Sequence, residues 1–266
     1  MLDRQQAEEL ILETVYTSIS NYATRSLAKK PKFQILDLII PKERKIRSIV
    51  GGLETSLGTT LWEPLAKSLS TENNFQVIDS NLQIPINMPA PLSNSLQSII
   101  EDRKRYGGLY NAISAHEEIK RICQVFIARP IEGFEQAPKG KGVDIWLVKD
   151  GINYFFDTKT VQPNLSTLSG CMEQILNWYA YFYSKYPTGK AFSRIVFPYN
   201  PDPDKNFWDG AIGKGKPLEQ DNEGWVENQF WDFCSGLEDT YQIIKNSFIK
   251  LQKSGRLEQS LHNLLK

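Results

Sequence analysis

Gly142-Val143-Asp144-Ile145-Trp146-Leu147-Val148-Lys149-Asp150-Gly151-Ile152-Asn153-Tyr154-Phe155-Phe156-Asp157-Thr158-Lys159 is the stretch that decides the fold. Asp150-Gly151 is a strong hairpin signal, because the two-residue turn that matches strand twist needs positive φ at its central positions. The flanks predict strands from Gly142 to Val148 and from Asn153 to Thr160. With that turn Lys149 pairs with Ile152, and every step back along one strand matches a step forward along the other. Asp144 then falls opposite Asp157. Side chains alternate faces along a strand, so Lys159 shares the face of Asp157. Its cross-strand neighbour is Gly142, which leaves room above it. Val143, Ile145, Leu147, Tyr154 and Phe156 make the other face apolar. Trp146 and Phe155 cover the polar face away from the acids, as expected for a central pair of strands.

Two carboxylates facing each other at about 5 Å, with an effective dielectric near 20, repel by roughly 3 kcal/mol. A divalent cation removes that repulsion. Mg²⁺ takes oxygen ligands, keeps several waters, and is commonly held by one or two carboxylates plus a substrate phosphate. A lysine beside such a site can orient or help deprotonate an attacking water and neutralise phosphate charge. The plain structural alternative is an ion pair at a surface edge. Acid-x-Lys also occurs at Glu43-Arg44-Lys45, Asp102-Arg103-Lys104 and Glu118-Ile119-Lys120, but none of these lies on an apolar strand behind a hairpin with an opposing acid.

The spacing of Asp144, Asp157 and Lys159 resembles the PD-(D/E)XK nuclease superfamily, with Val143 standing where the name-giving proline would be. Gly51-Gly52-Leu53-Glu54-Thr55-Ser56-Leu57-Gly58-Thr59-Thr60-Leu61-Trp62-Glu63, taken with the Gly-Lys-Gly-Val-Asp start of the hairpin, resembles the TdeIII-type family of type II restriction endonucleases. That resemblance implies an α/β restriction-endonuclease-like fold, a central mixed sheet flanked by helices with helical additions at both ends. It implies Mg²⁺-dependent cleavage of double-stranded DNA at a short palindrome of the GGNCC kind, leaving 3′-hydroxyl and 5′-phosphate ends. Mn²⁺ is expected to substitute. Asp144 and Asp157 would hold the metal, helped by the backbone carbonyl of Thr158, and Lys159 would position the water. Glu63 is the choice for an additional acid from a preceding helix, with Glu54 second; a helix-face pair with Lys67 explains Glu63 equally well. Gln174 could stand near the site, or cap its helix or face solvent. A palindrome implies a homodimer. A cognate DNA methyltransferase would be a genetic rather than physical partner. The alternatives are another nuclease on the same fold (repair, nicking or structure-specific) and a non-catalytic DNA-binding protein that retains it.

Around the hairpin, helical spacing predicts a helix from Asp3 to about Ala28, stopped by Pro31. Phe33 to Ile40 reads as a buried strand and Pro41 to Arg47 as a basic loop. A helix over about Leu53 to Leu69 carries Leu57, Leu61, Leu65 and Leu69 on one stripe and should kink at Pro64. Phe75 to Asp79 reads as a short strand, and Leu92 to Ile100 as a helical piece. Ser114 to Ile127 reads as a helix with Ile119, Ile122, Val125 and Phe126 inward, and Pro130 to Lys141 as a loop. After Pro163 come a helix from about Leu168 to Tyr183, a strand from Phe192 to Pro198, a long polar loop from Asn200 to Gly224, and closing helices from about Trp225. These elements fit a single nuclease domain over 1–266. Its helical N-terminal part spans about 1–70, an insertion about 81–141, and the catalytic hairpin with its following helix about 142–185.

Composition narrows the chemistry. The chain has 266 residues, 31 basic and 31 acidic, so no overall positive charge marks a nucleic-acid binder. Local basic clusters exist: Lys29, Lys30 and Lys32; Lys42, Arg44, Lys45 and Arg47; Arg103, Lys104 and Arg105; Lys139 and Lys141; Lys214 and Lys216. Solvated surface is the default reading of each. Lys139, Lys141, Lys214 and Lys216 are the candidates for reading DNA bases, since Arg or Lys can take guanine acceptors in the major groove. The only histidines are His116 and His262, and no G-x-S-x-G elbow accompanies them, which leaves little basis for Ser-His or Cys-His hydrolysis. Cys123, Cys171 and Cys234 are too scattered for a disulfide framework or zinc pattern and read as core. With neither a signal-peptide pattern nor an apolar span, the expected place is the cytoplasm of a prokaryote, with no membrane association.

Overall fold

A computed structural model describes residues 2–28, 34–105, 107–160, 164–209 and 217–259. In chain order the elements are α1 (Arg4–Ala28), α2 (Pro41–Thr55), α3 (Glu63–Glu72), β1 (Gln76–Val77), β2 (Gln83–Pro85), α4 (Ala90–Lys104), α5 (Ala112–Cys123), β3 (Phe134–Gln136), β4 (Ile145–Lys149), β5 (Ile152–Thr158), α6 (Leu165–Lys185), β6 (Lys190–Phe197), β7 (Gly224–Val226), α7 (Asn228–Ser235) and α8 (Thr240–Ser254). They fall into two compact units: Met1–Asn73 with Trp231–Lys266, and Asn74–Phe230.

In the first unit α1 buries Ala7, Ile11 and Val15, one helical turn apart, and packs on α3 and α8. The expected helix over residues 53–69 is broken. α2 ends at Thr55, a wide turn of π type covers Gly58–Trp62, and α3 starts at Glu63 with Pro64 in its first turn. Proline fits there because the first amides of a helix have no intrahelical acceptor. Leu61, Leu65 and Leu69 are buried as expected, and Trp62 stacks on Phe248. Gly52 is needed for close approach, since a Cβ would sit 2.2 Å from the Tyr22 hydroxyl of α1.

Two expectations fail in this unit. The described part of residues 33–40 is no strand: Ile35–Leu38 is a 3-10 turn, with Ile35 68%, Leu38 71% and Ile39 75% exposed. The expected basic loop at residues 41–47 is the first half of α2, again with proline in the first turn. Pro31 and Phe33 lie outside the described residues.

The second unit is built on a mixed sheet in the order β1-β4-β5-β6-β7. β4 runs antiparallel to its two neighbours β1 and β5, and β5, β6 and β7 run parallel. The hairpin register is the one read from the turn: Lys149 pairs with Ile152 and Ile145 with Phe156. Asp150 and Gly151 both take positive φ, 52° and 73°. Both faces of β5 are covered. Phe155 packs on Phe182 of α6, and Phe156 packs on Trp225 and Phe230. α6 buries Met172, Ile175, Leu176, Tyr179, Phe182 and Tyr183, the expected stripe. Its N-terminus is capped by Asn164, whose side chain accepts from the Thr167 amide at 2.9 Å, so capping is not the role of Gln174.

Smaller corrections follow. Phe134–Gln136, inside the expected loop at 130–141, pairs with β2 as a separate two-stranded sheet. Val125, expected inward, is 60% exposed, while Ile119 and Phe126 are buried. The loop after β6 folds Phe207 and Trp208 back onto Phe197. Cys123, Cys171 and Cys234 are buried, as read. No helix of the described residues is long and apolar enough to cross a membrane.

Candidate active site

β4 as a strand begins at Ile145, whose partner Phe156 ends the paired register, and just before it the Asp144 amide donates to the same Phe156 carbonyl at 3.0 Å. One Asp144 carboxylate oxygen accepts from the Thr158 amide at 2.9 Å and from the Thr158 hydroxyl at 3.3 Å. The first acid is thereby tied to the strand that carries the second. In a strand the N–H and C=O of one residue point to the same side, so the Thr158 carbonyl also faces the edge where Asp144 lies.

Asp157 is 6% exposed near the end of β5, and Lys159 pairs with its carboxylate directly after the strand. Burial, then the charge of Asp144, pushes the Asp157 pKa above the carboxylate range; Lys159 pulls the other way. Burial works against the Lys159 ammonium charge, yet Asp157 and Asp144 together outweigh it and hold the amine above its usual value. Lys159 is therefore a cation at neutral pH and acts as a charge and hydrogen-bond donor, not as a resting base.

The approach to Asp144 is shaped by Asn81. Its side-chain oxygen accepts from the Val143 amide at 3.1 Å and the Leu82 amide at 2.8 Å. A Cβ on Gly142 would lie 1.9 Å from the Asn81 amide nitrogen. The space that a side chain at residue 142 would need is thus taken by Asn81. Lys141 closes a turn on the Pro138 carbonyl at 2.9 Å, and its own carbonyl accepts the Trp178 indole N–H at 3.0 Å. Lys139 and Lys141 are exposed on that anchored turn, close in sequence to Asp144.

The structure brings together Asp144, Asp157, Thr158 and Lys159. Glu63 and Glu54 belong to the other unit: Glu63 opens α3 with one carboxylate oxygen buried, and Glu54 is exposed in the last turn of α2. Lys214 and Lys216 lie outside the described residues. Gln174 is half-buried on α6. Among the described residues no group of three or more His, Cys, Asp or Glu is set to hold a metal ion. Two carboxylates and a carbonyl nevertheless suit Mg²⁺, which fills its remaining positions with water and phosphate oxygens. The buried Asp157, opposed by a second carboxylate and compensated by one lysine, fits a cation.

Sequence reading missed a buried ion pair. Arg103, taken as solvated surface, is 8% exposed. Its guanidinium grips Glu223 at 3.1 and 2.7 Å and the Pro217 carbonyl at 2.9 Å. It also missed His116, which stacks on Tyr179 with ring centroids 3.9 Å apart. Its place on α5 next to the buried Ala112, Ala115 and Ile119 was the available signal.

A family model for a type II restriction endonuclease, HinfI, matches residues 3–252. No curated protein and no solved structure matches the chain. The match agrees with the TdeIII-type resemblance at the level of type II restriction endonuclease.

Proposed function

The chain belongs to the HinfI type II restriction endonuclease family, and on that premise we propose that it hydrolyses duplex DNA at a short palindrome on a PD-(D/E)XK fold, using Mg²⁺ held by Asp144, Asp157 and the Thr158 carbonyl. The observation that carries this reading is the open end of the hairpin: Asp144, just before β4, is hydrogen-bonded to Thr158 next to the buried Asp157 of β5, and Lys159 is paired to Asp157. The bound metal would make water a nucleophile near neutral pH and stabilise charge on the phosphate. Asp157 fixes the Lys159 ammonium group. Lys159 orients the water for in-line attack and offsets charge on the phosphate oxygens. Thr158 holds the Asp144 carboxylate through its amide and hydroxyl. Glu63, with Glu54 second, is the proposed further acid, and both units belong to one nuclease domain over 1–266.

Base reading is assigned to the turn that carries Lys139 and Lys141, together with Lys214 and Lys216. The GGNCC form of the palindrome rests on the TdeIII-type resemblance alone. Two-fold symmetry in the target calls for a homodimer in which each subunit cuts one strand. Light scattering with and without DNA should give twice the chain mass; a monomer under both conditions contradicts the dimer. The proposed setting is a prokaryotic cytoplasm with a cognate methyltransferase.

The test is a plasmid digest with Mg²⁺ and with Mn²⁺, followed by mapping of the cut ends. Discrete fragments with 5′-phosphate ends that share one palindrome support the proposal. Smearing or nicking assigns the site to another kind of nuclease. Tight DNA binding with no cutting in either metal leaves a binding protein. Undiminished cutting by both purified Asp157→Ala and Lys159→Ala removes the residue assignments.

A further inference from the structure

β5 has a second end. Ile152 starts the strand beside Lys190 of β6, and Asp157 sits five residues further on. At a strand rise of about 3.3 Å per residue the two ends lie roughly 17 Å apart. β7 pairs with Ile195, Val196 and Phe197, and among the described residues the first half of β6 has no strand beyond it. Two tyrosines of α6 close that edge. The Tyr179 hydroxyl accepts from the Ser193 amide at 2.9 Å, and the Tyr183 hydroxyl takes a hydrogen bond from the Ala191 amide. The Tyr183 hydroxyl also shares a hydrogen bond with Nε2 of His116, 2.7 Å away. Burial, helped by the charges of Lys120 and Arg194, pushes the His116 pKa down to about 4, so the ring is neutral. Its Nδ1 has no hydrogen-bond partner among the described residues.

Between this edge and α5 is a cavity of about 530 Å³. Its cations are Lys120, Lys190 and Arg194. Arg194 is half-buried, with its guanidinium 4.0 Å from the centre of the Trp225 ring and its Nε donating to the Asp221 carbonyl at 3.1 Å. Among the described residues none of the three cations is ion-paired with a carboxylate. Of the acids at the cavity, Glu223 is committed to Arg103, and Glu117 is exposed and pairs with none of the three. Desolvation lowers the Arg194 pKa, which marks a cation short of compensating charge. Phe192, 40% exposed, offers an aromatic surface beside them.

We propose that this cavity is a nucleotide site, taking a phosphate between Lys120, Lys190 and Arg194 and a flat base against Phe192. Guanidinium and ammonium groups are the usual phosphate partners, and a ring face accepts any base by stacking. The His116 ring, bonded to Tyr183 through Nε2, leaves its Nδ1 to the base edge. The site is separate from the carboxylates of the hairpin and does not depend on their metal. The shared chemistry could come from a free nucleotide or from an unpaired nucleotide at a DNA end.

The test is calorimetric titration of the full chain in EDTA with the four deoxynucleoside 5′-monophosphates, with deoxyadenosine and with inorganic phosphate. Saturable binding of at least one monophosphate is expected, with deoxyadenosine and phosphate each weaker by about tenfold or more, the effect of losing one charge-assisted or stacking contact. The Lys120→Ala/Lys190→Ala double variant and Phe192→Ala, checked for folding by circular dichroism, should each weaken binding about tenfold. Asp157→Asn should bind as the parent does. Absence of saturable binding, unchanged affinity in the lysine double variant, or loss of affinity in Asp157→Asn overturns the proposal. A duplex with a one-nucleotide 5′-phosphorylated overhang, compared with a blunt one, separates the sources. A gain that needs Lys120 and Lys190 points to DNA ends, and monophosphate binding without that gain points to the free nucleotide.

Discussion

Asp157 and Glu223 are both buried carboxylates of the same unit, and their surroundings are opposite in kind. Glu223 receives both arms of Arg103 and the Glu219 amide at 3.0 Å, so most of its acceptor capacity is filled. Burial raises its pKa, and Arg103 counters that first among the lowering influences. Glu223 also has an acid beside it, Glu219, but the Arg103 guanidinium reaches that carboxylate too, at 3.6 Å; Asp157 and the acid next to it have one lysine, paired to Asp157. Two acids spanned by one buried guanidinium belong to the architecture; in the proposed function Asp157 and Asp144 are the pair left for a cation to compensate.

Substitution should separate the two. Asp157→Asn is expected to lower cleavage by about a thousandfold or more while leaving the chain as stable as before or about 1 kcal/mol more stable, because a buried repulsion is removed. Lys159→Ala should cost about a hundredfold to a thousandfold in rate, the usual loss when one transition-state donor goes. Plasmid cleavage rates alongside urea midpoints check both. A large loss of stability in Asp157→Asn would make that acid structural.

Glu223→Gln should do the reverse. It leaves Arg103 with only the Glu219 carboxylate, at 3.6 Å, as a charged partner and is expected to cost about 3 kcal/mol of stability, with cleavage per folded molecule kept within a few-fold. A urea midpoint equal to that of the parent would show that the pair is not a stabilising element.

His116 gives a pH signature at the other end of β5. The folded pKa lies below the unfolded one, so unfolding takes up a proton when the pH is below about 6.5. Stability from this group is fully present above that pH and is lost as the pH falls toward about 4. The loss is at most about 3 kcal/mol. Urea midpoints of the parent should fall more steeply over this window than those of His116→Gln; parallel curves would contradict a buried neutral imidazole.

Asn81→Ala is the mildest probe. It leaves the Val143 and Leu82 amides without their acceptor and should cost about 1–2 kcal/mol. A tenfold slower cut with unchanged DNA affinity is the expected kinetic mark of a displaced Asp144. Unchanged rates would mean that Thr158 alone holds that acid in place.

The hairpin was legible because several local signals agree there. Asp150-Gly151 suits positive φ, and the register counted from the turn holds from Lys149 with Ile152 to Ile145 with Phe156, one step short of the acids. The run over residues 33–40 carried one signal only, apolar content, which does not distinguish a buried strand from the exposed turn at Ile35–Leu38. Pro41 had a second meaning that basic neighbours obscured, since proline starts helices as readily as it ends them. β2, β3 and β7 have three residues each, too few for alternation to register. Arg103 and Glu223 are 120 residues apart, so no spacing rule joins them. Asn81 likewise meets Val143 across 62 residues, and only the glycine at 142 hinted at a close approach.

The central claim is that Asp144 and Asp157 together hold a divalent cation, and Mn²⁺ titration followed by electron paramagnetic resonance tests it most directly. The parent chain should bind Mn²⁺ at a site that Mg²⁺ displaces, and Asp144→Asn and Asp157→Asn should each weaken it about tenfold or more. Equal Mn²⁺ affinity in the parent and both variants would contradict the account.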